Sequence, residues 1–510
     1  MWKSKRRIAK ELQAYGLSGR PGSERLKFTM ADVSDLKLRL HGSVVLWNDV
    51  AYDHARQAYD AVYQEFPQLI VYCEVFADVR ACLDFARNHD LWAVCRSGGH
   101  STAGFSINSE MIVDLSRLNY VVVDPSAKRA IVGGGSNFGH INATLDTYGL
   151  HLTGGACEDV CVGGYTQGGG YGFTARKYGM NCDSLLEALV MLSDGKLVVA
   201  SATKNADLFW AIRGGTGNNF GVLLQATFQL YEPGELWGFG IRWPIERAAQ
   251  VLVALQSGYM RESTLNDLGY LAFVAYSNDV AILRVGGIFS GSRDAGFKAL
   301  APLRALPGGE FDFDKVDSYL QLNRNVLDES HFPPVPDLSR EGKDCAIIDR
   351  RLELEEWSTI LEAFQRTPNQ GSMMLIEPYG GAINEVPSTN TAFVHRNAYM
   401  NIALDVFFLD AHEQADAMAF MDRFMTTLDR FSSGFKYQNY PRPDNENYRW
   451  NYWGESFGTL LAIKNKYDPS NFFRYPQSIS AIPPNAPTTI RASAAPEVVP
   501  VPPAIVYEPY

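Results

Sequence analysis

The stretch Arg96-Ser97-Gly98-Gly99-His100-Ser101 carries the strongest structural signal in this chain. It follows the short apolar run Ala93-Val94-Cys95, which predicts a strand that ends where the turn begins. Glycine lets the backbone come close to a bound group, and successive N–H groups in a concave turn can hold a pyrophosphate. We therefore expect a pyrophosphate-binding turn here, with Arg96 stabilising either the turn itself or the phosphate.

This turn differs from the nucleotide-binding turn of doubly wound folds. It lacks the Gly-x-Gly-x-x-Gly spacing, and no acidic residue follows at the distance that a ribose contact requires. The sequence thus favours a different kind of nucleotide-binding domain.

A second stretch, Gly154-Gly155-Ala156-Cys157-Glu158-Asp159-Val160, places a cysteine next to small residues. Cys161 lies four positions after Cys157, but no further cysteine or histidine pair supplies the rest of a metal site, so we expect no metal. The chain has seven cysteines, and an odd number without an export signal does not predict a disulfide framework.

The composition is that of an ordinary globular protein with room for two or three domains. Of 510 residues, 46% are hydrophobic and 20% are charged, and the net charge is −11. An acidic chain argues against nucleic acid or an anionic membrane as the main partner. No apolar run approaches the roughly 18 residues of a membrane-spanning helix, and no signal peptide is recognisable. We expect an intracellular, cytoplasmic protein that acts as a monomer.

Further motifs follow along the chain in a characteristic order. They are Gly163-Gly164-Tyr165-Thr166-Gln167-Gly168-Gly169-Gly170-Tyr171-Gly172, Arg176-Lys177-Tyr178-Gly179, Asp207-Leu208-Phe209-Trp210-Ala211-Ile212-Arg213-Gly214-Gly215, Asn219-Phe220-Gly221-Val222, Tyr437-Gln438-Asn439-Tyr440 and Lys466-Tyr467-Asp468-Pro469-Ser470-Asn471-Phe472-Phe473. Together with the first two stretches, they resemble the berberine bridge enzyme-like flavoprotein oxidases, a branch of the vanillyl-alcohol oxidase superfamily. The resemblance runs from about Gly42 to Ile479.

The resemblance implies an FAD attached to the protein through two side chains. His100 would be linked to the 8-alpha methyl group of the flavin and Cys157 to carbon 6 of its ring, although Cys161 stands where the family usually has glycine. Val160, the third residue after the linking cysteine, would stand where dioxygen meets the reduced ring. The other residues implied at the cofactor are Arg96, Ser97, Gly98, Gly99, Ser101, Gly163, Gly164, Gly221, Val222, Tyr437 and Asn439.

The resemblance also implies where the substrate is oxidised. Tyr440 matches the base of the family and Tyr171 matches a second active-site tyrosine. A free tyrosine has a pKa of about 10, so a tyrosine base needs a nearby cation or aromatic stack. Asn401, Ala403 and Asp405 alternate on a predicted strand and should share one face. Relatives often carry Gln or Glu where Ala403 stands, and Asp405 could supply that polar group. The alternatives are core packing for the tyrosines and a solvated strand position for the aspartate.

The pattern of apolar runs and amphipathic segments predicts an α+β fold. The resemblance implies a two-part FAD-binding domain of the vanillyl-alcohol oxidase type, and the pattern after residue 234 predicts a substrate domain with an antiparallel sheet backed by helices. The predicted division is an FAD-binding domain at 1–233 (core 65–233), a substrate-binding domain at 234–435, a segment at 436–480 that returns to the FAD domain, and a proline-rich tail at 481–510. Helical spacing also predicts a helix over 51–65.

These observations predict an oxidase that dehydrogenates a hydroxyl-bearing small molecule, such as a carbohydrate or a secondary metabolite, and reduces dioxygen to hydrogen peroxide. Two other enzymatic interpretations stay open, namely a flavin dehydrogenase with another electron acceptor and an oxidative cyclase of secondary metabolism. A flavin-binding protein without turnover is the alternative from another class.

Overall fold

The computed structural model describes residues 26–277, 279–327, 340–408 and 411–480, and the predicted tail at 481–510 lies outside these residues. Among the described residues, the strands form three sheets of four, five and seven strands. Helices pack between and behind them, so the α+β class is confirmed. None of the helices in these ranges is long and apolar enough to cross a membrane.

The first sheet carries the glycine turn at the end of one strand. Its strands are β1 Ser43–Leu46, β2 Leu69–Tyr72, β3 Ala93–Arg96 and β4 Met111–Asp114, and its helices are α1 Met30–Leu38, α2 Tyr52–Ala55 and α3 Phe76–Asn88. The order is β1-β2-β4-β3, with β2, β4 and β3 parallel and β1 antiparallel to β2. The predicted strand therefore does lead directly into residues 97–101.

The predicted helix over 51–65 is wrong beyond its first turn, since α2 ends at Ala55. After that point the backbone forms contacts with distant residues instead of helical hydrogen bonds. The N–H of Tyr59 donates to the carbonyl of Gly99 at 3.0 Å. Asp60 is buried and accepts from the N–H of Glu341 at 3.3 Å. Tertiary hydrogen bonds have overridden the local helical spacing.

The second sheet contains β5 Val121–Asp124, β6 Arg129–Gly133, β7 Leu185–Met191, β8 Leu197–Ser201 and β9 Val222–Gln229, in the order β5-β6-β9-β7-β8. All its pairs are antiparallel. The helices of this part are α4 Phe138–Asp146, α5 Val162–Tyr165, α6 Ala175–Tyr178 and α7 Ala206–Ala211, with 3-10 turns at Thr166–Gly168 and Asn181–Ser184. The glycine-rich motif at 163–172 thus forms α5, a 3-10 turn and the loop after it.

The third sheet is antiparallel throughout, with the order β13-β10-β12-β11-β15-β16-β14. Its strands are β10 Leu236–Pro244, β11 Leu268–Ser277, β12 Val280–Ser290, β13 Glu310–Val316, β14 Arg340–Ile348, β15 Met373–Pro378 and β16 Met400–Phe408. The helices are α8 Ile245–Gly258, α9 Arg293–Ala299, α10 Ala301–Arg304, α11 Tyr319–Asn325, α12 Leu354–Phe364, α13 Ala382–Glu385 and α14 Ala411–Leu428.

One face of the third sheet is covered by α8, α12 and α14. Alternate residues of the central strands, such as Val274, Ile376 and Ile402, are buried in one cluster with Leu255 and Trp357 of these helices. Because strand side chains alternate between faces, the remaining residues of β11, β15 and β16 project from the opposite face. That face packs against residues 171–182, and the sheet backed by helices that the sequence predicts is confirmed.

The C-terminal segment contains α15 Tyr448–Trp453, a 3-10 turn at Gly454–Ser456 and α16 Phe457–Tyr467. It packs on the second sheet, where Trp453 shares a buried cluster with Phe209. Lys464 is buried and donates to the carbonyl of Asn219 and to Asp468, each at 2.6 Å. The segment therefore supports the loop that precedes β9.

Candidate active site

A cavity of about 810 Å³ lies between the open face of the third sheet, the glycine turn after β3 and the C-terminal segment. Cavities of this size hold a cofactor or a drug-sized ligand. With the exception of Arg96, every predicted site residue is part of its lining: Ser97, Gly98, Gly99, His100, Ser101, Cys157, Val160, Gly163, Gly164, Tyr171, Gly221, Val222, Asp405, Tyr437, Asn439 and Tyr440.

The glycine turn fits a closely bound pyrophosphate. Within the described residues, the N–H groups of Gly98, Gly99, His100 and Ser101 donate to no protein acceptor. Gly99 has a φ of +74°, a conformation that other residues rarely adopt. A Cβ atom at Gly163 would lie 2.4 Å from the carbonyl oxygen of Gly134 and from the hydroxyl of Ser97. The turn thus presents free amide donors in a space that side chains would fill.

Arg96 does not reach this cavity. Its Nε donates to Asp114 at 2.6 Å, and its terminal nitrogens donate to the carbonyls of Gln57 and Ala55 at 3.0 and 2.7 Å. The sequence leaves open whether Arg96 stabilises the turn or the phosphate, and this geometry supports the turn. The arginine joins β3 to β4 and to the chain after α2, and so stabilises the turn.

His100 stacks on the ring of Tyr59, with centroids 4.0 Å apart and planes inclined by 21°. Burial lowers the pKa of the imidazole to about 4, against a smaller opposing effect of Asp159. The ring is therefore neutral near pH 7, and a neutral imidazole has the free lone pair that a covalent bond to carbon requires. The sequence did not reveal this contact, because Tyr59 falls within the helix predicted over 51–65.

Cys157 and Cys161 differ in their surroundings. Both cysteines line the cavity, but Cys157 is exposed, whereas Cys161 is buried with its Sγ 3.3 Å from the carbonyl oxygen of Gly135. Burial raises the pKa of the Cys161 thiol to about 12. A buried thiol with a high pKa is a poor nucleophile. The environment of Cys161 is that of a packed side chain, which leaves Cys157 as the accessible thiol.

The loop before β9 is held in place by its own hydrogen bonds. The Asn219 amide donates to the carbonyl of Gly215 at 3.0 Å and accepts from the N–H of Ile479 at 2.7 Å. A Cβ atom at Gly221 would lie 2.5 Å from Val190. Gly221 and Val222 are thereby fixed in the cavity wall.

Tyr437 and Asn439 anchor the turn that carries Tyr440. The Tyr437 hydroxyl accepts from the N–H of Gly170 at 2.9 Å and from the Asn439 amide at 3.0 Å. Asn439 also donates to the carbonyl of Tyr165 at 3.0 Å. These bonds join the glycine-rich motif at 163–172 to the C-terminal segment, so the position of Tyr440 depends on both.

Tyr440 forms a hydrogen bond that the sequence did not predict. Its hydroxyl donates to Oε1 of Glu377 at 2.5 Å, and the Asn401 amide donates to Oε2 of Glu377 at 2.9 Å. Burial raises the pKa of Glu377, and burial with the nearby Glu377 raises the pKa of Tyr440 well above its usual range. The phenol therefore keeps its proton at rest and shares it with the carboxylate.

Glu377 could have been noticed in the sequence. It is the one charged residue of β15, Met373–Pro378, and follows four apolar residues. A carboxylate in a buried strand needs a partner, which makes such a residue a candidate for function. Nothing in the local pattern, however, places it beside Tyr440.

The cation beside Tyr440 is Lys343 of β14. Its Nζ lies 4.2 Å from the ring centroid of Tyr440, 2.7 Å from Asp405 and 3.6 Å from Glu341. Burial raises the pKa of Glu341 to about 8. Asp405 is thus paired with a lysine beside the tyrosine instead of being a solvated strand residue. Asn401 and Asp405 share the cavity side of β16, as their alternation predicts.

The hydroxyl of Tyr171 forms a hydrogen bond with the backbone. It donates to the carbonyl of Pro378 at 2.9 Å, and the Tyr171 ring stacks on Tyr379 with centroids 5.7 Å apart. Burial raises the pKa of Tyr171 well above its usual range. This geometry supports a role in holding the end of β15 next to Glu377. In the part of the chain that the structure describes, no group of three or more His, Cys, Asp or Glu side chains could hold a metal ion.

Comparisons with known proteins find family models and relatives that match this chain. Residues 67–201 match the family model of an FAD binding domain, and residues 436–480 match the model described as berberine and berberine like. Over 450 residues the chain is 28% identical to YgaK, an FAD-linked oxidoreductase of Bacillus subtilis (strain 168), covering 87% of this chain and 98% of YgaK.

Solved structures share the fold. BBE-like 1 of Physcomitrella patens has a TM-score of 0.80 at 24% identity, covering 88% of this chain and 98% of that one. The glucooligosaccharide oxidase of Acremonium strictum, whose FAD is 6-S-cysteinyl and 8-alpha-N1-histidyl, has a TM-score of 0.79 at 23% identity over 89% of this chain and 99% of that one. The predicted fold and the predicted resemblance are confirmed.

Proposed function

We propose that this protein, which matches the FAD binding domain model over residues 67–201 and the berberine-like model over residues 436–480, is an oxidase that dehydrogenates a hydroxyl-bearing small molecule and reduces dioxygen to hydrogen peroxide. Its FAD is linked to both His100 and Cys157. The observation that carries the proposal is the hydrogen-bonded pair Tyr440–Glu377, which shares one cavity with the glycine turn and with both linking residues.

The cofactor fits the side chains that are present. The free N–H groups of residues 98–101 would hold the pyrophosphate, the neutral His100 imidazole provides one bond, and the accessible Cys157 provides the other. The glucooligosaccharide oxidase of Acremonium strictum holds its FAD through the same pair of links. When bound, FAD supplies the hydride acceptor and passes the electrons to dioxygen.

The protein supplies the proton chemistry. As the substrate loses hydride, its hydroxyl proton moves to Oη of Tyr440, and the proton of Tyr440 moves to Oε1 of Glu377 across their 2.5 Å hydrogen bond. This relay removes the need for a free tyrosinate, which burial disfavours. Lys343 stabilises negative charge that develops on the Tyr440 ring, and Asp405 and Glu341 hold Lys343 in place.

A peroxide-coupled screen of sugars, alcohols and polyphenols tests the proposed reaction, and acid denaturation followed by mass spectrometry tests the links. We expect peroxide with at least one class of substrate and one flavin that joins two peptides. Rapid flavin reduction with reoxidation that takes minutes would indicate a dehydrogenase instead. Flavin that no substrate reduces would indicate a binding protein without turnover.

A further inference from the structure

The chain segment around Cys157 is held in place from two sides. On one side is α4, which packs in the core of the second sheet through Phe138. The N–H of Phe138 donates to the carbonyl of Val160 at 3.0 Å. The next N–H, that of Gly139, donates to the carbonyl of Glu158 at 2.9 Å. These two bonds fix the residues that follow Cys157.

The residue just before Cys157 is held by α11, which lies against α4. The side-chain amide of Asn323 donates to the carbonyl of Ala156 at 3.1 Å, across 167 positions of the chain. Asn323 is buried, and its Oδ1 accepts from the hydroxyl of Tyr319 at 3.3 Å, which orients the amide. Cys157 is thus placed between a carbonyl bound by α11 and a carbonyl bound by α4.

Arg324, the next residue of α11, adds a weaker contact. Its Nε lies 2.5 Å from Oε1 of Glu158, but the two side chains are 42% and 35% exposed. Ion pairs that face solvent contribute little, whereas the loss of a hydrogen bond from a buried donor shifts an equilibrium by about tenfold. Asn323 is therefore the main contact between α11 and the Cys157 segment.

The helix α11 is itself fixed to the third sheet. A Cβ atom at Gly238 of β10 would lie 2.8 Å from Leu322 and 3.0 Å from Val326, so α11 packs closely on this strand. Arg284 of β12 also donates to the carbonyl of Val326 at 2.7 Å. The position of α11 follows that of the third sheet, so its contact with the Cys157 segment forms only when the third sheet and α4 have met.

Building on the proposed double link, we propose that Asn323 is a positioning residue for the bond between Cys157 and the flavin. In this step the S–H bond of Cys157 and the C–H bond at carbon 6 of the flavin break, and a C–S bond forms. The two protons and two electrons that are released convert one dioxygen to one hydrogen peroxide. A displacement of about 1 Å can slow a reaction by about 100-fold, so the bound carbonyl next to Cys157 affects the rate of this bond.

The other linking residue, His100, is positioned by different contacts. Its ring stacks on Tyr59 with centroids 4.0 Å apart, and the N–H of Tyr59 donates to the carbonyl of Gly99 at 3.0 Å. Neither contact involves α11. The His100 link is therefore an internal control, because a general loss of folding would remove both links, whereas a loss of positioning slows only the bond to Cys157.

The test follows the two links separately in the FAD-containing protein as a host cell makes it. Protein synthesis is stopped, samples are taken at intervals, and mass spectrometry of peptides detects flavin on His100, on Cys157 or on both. In Asn323→Leu we expect the Cys157 link to form at least tenfold more slowly than in the natural protein, while the His100 link forms at an unchanged rate. Asn325→Leu, the same change at an exposed position of α11, is the matched control and should form both links at the natural rates.

Two further variants make the result decisive. Arg324→Gln should slow the Cys157 link by about twofold at most, since the ion pair faces solvent. If Asn323→Leu does not fold, Asn323→Asp, which keeps the size of the side chain but replaces the amide donor, should show the same slowing. An unchanged rate of the Cys157 link in a folded variant at position 323 would overturn the positioning role and leave the double link standing. Absence of the Cys157 link from the natural protein would contradict the proposed double link itself.

Discussion

The replacement of Tyr440 by phenylalanine removes one oxygen atom from the proposed proton relay. The lost interaction is the 2.5 Å hydrogen bond to Glu377, whose other oxygen stays bonded to Asn401. Loss of a general base slows catalysis by about 100-fold or more, which corresponds to about 2.7 kcal/mol. A hydrogen bond to a charged group contributes about 1.5–3 kcal/mol, so the two figures agree.

Stopped-flow mixing with a substrate under anaerobic conditions measures this effect directly as the rate of flavin reduction. The covalent links and the flavin spectrum should stay as in the natural protein, because the phenyl ring keeps the contact with Tyr437 at 5.0 Å. Tyr148→Phe, at a half-exposed position, is the matched control, and its flavin should be reduced at the rate of the natural protein.

A second variant distinguishes a relay from an independent tyrosine base. If the proton passes from Tyr440 to Glu377, Glu377→Gln should slow reduction by a similar factor, and the double variant should be little slower than either single one. The raised pKa of Glu377 sets the sign of the pH dependence, since only its ionised form accepts a proton. Reduction should therefore slow as pH falls through that raised pKa, and Glu377→Gln should lose this limb. Near-normal reduction in Tyr440→Phe, or fully additive losses, would refute the relay.

Three further predictions follow from the surroundings of the cofactor. Cys157→Ala should leave a single flavin link through the imidazole, whereas Cys161→Ala should keep both, as mass spectrometry of the flavin peptides would show; the opposite pattern would assign the link to the buried thiol. Val160→Leu should slow reoxidation of photoreduced protein in aerated buffer more than it slows reduction, because close-packed surroundings leave little room for a longer side chain; equal slowing of both steps would argue against an oxygen path there. Arg96→Met should leave Asp114 buried without its cation and lower the free energy of unfolding by about 3–5 kcal/mol, as urea denaturation would measure. An unchanged midpoint of the urea curve would show that the turn does not depend on this ion pair.

The strand and turn at 93–101 illustrate what local sequence determines. An apolar run followed by adjacent glycines leaves few conformations for the backbone, and β3 ends at Arg96 where the pattern predicts it. The strand holding Asp405 was likewise foreseen by its composition, and β16 covers it. These patterns involve residues that are only a few positions apart, so they predict local structure without knowledge of the rest of the chain.

The failed helix at 51–65 shows the limit of this reasoning. Its apolar spacing is helical, but the hydrogen bond from Tyr59 to Gly99 and the burial of Asp60 against Glu341 exist only once distant segments have met. The stacking of Tyr59 on His100 follows from the same contact. Local propensity is worth a few tenths of a kcal/mol per residue, less than such tertiary contacts contribute together.

By itself the sequence determined the class of fold, the glycine turn and the two residues expected to hold the flavin. Only the tertiary structure decided the partners of Tyr440, because Glu377 and Lys343 come from strands that are far apart in the chain. The side of a strand that faces the cavity is set by its register with neighbouring strands, and a shift by one residue would turn every side chain to the other face. Register between β15, β16 and β14 is therefore what brings Glu377, Asp405 and Lys343 to the same side of the sheet.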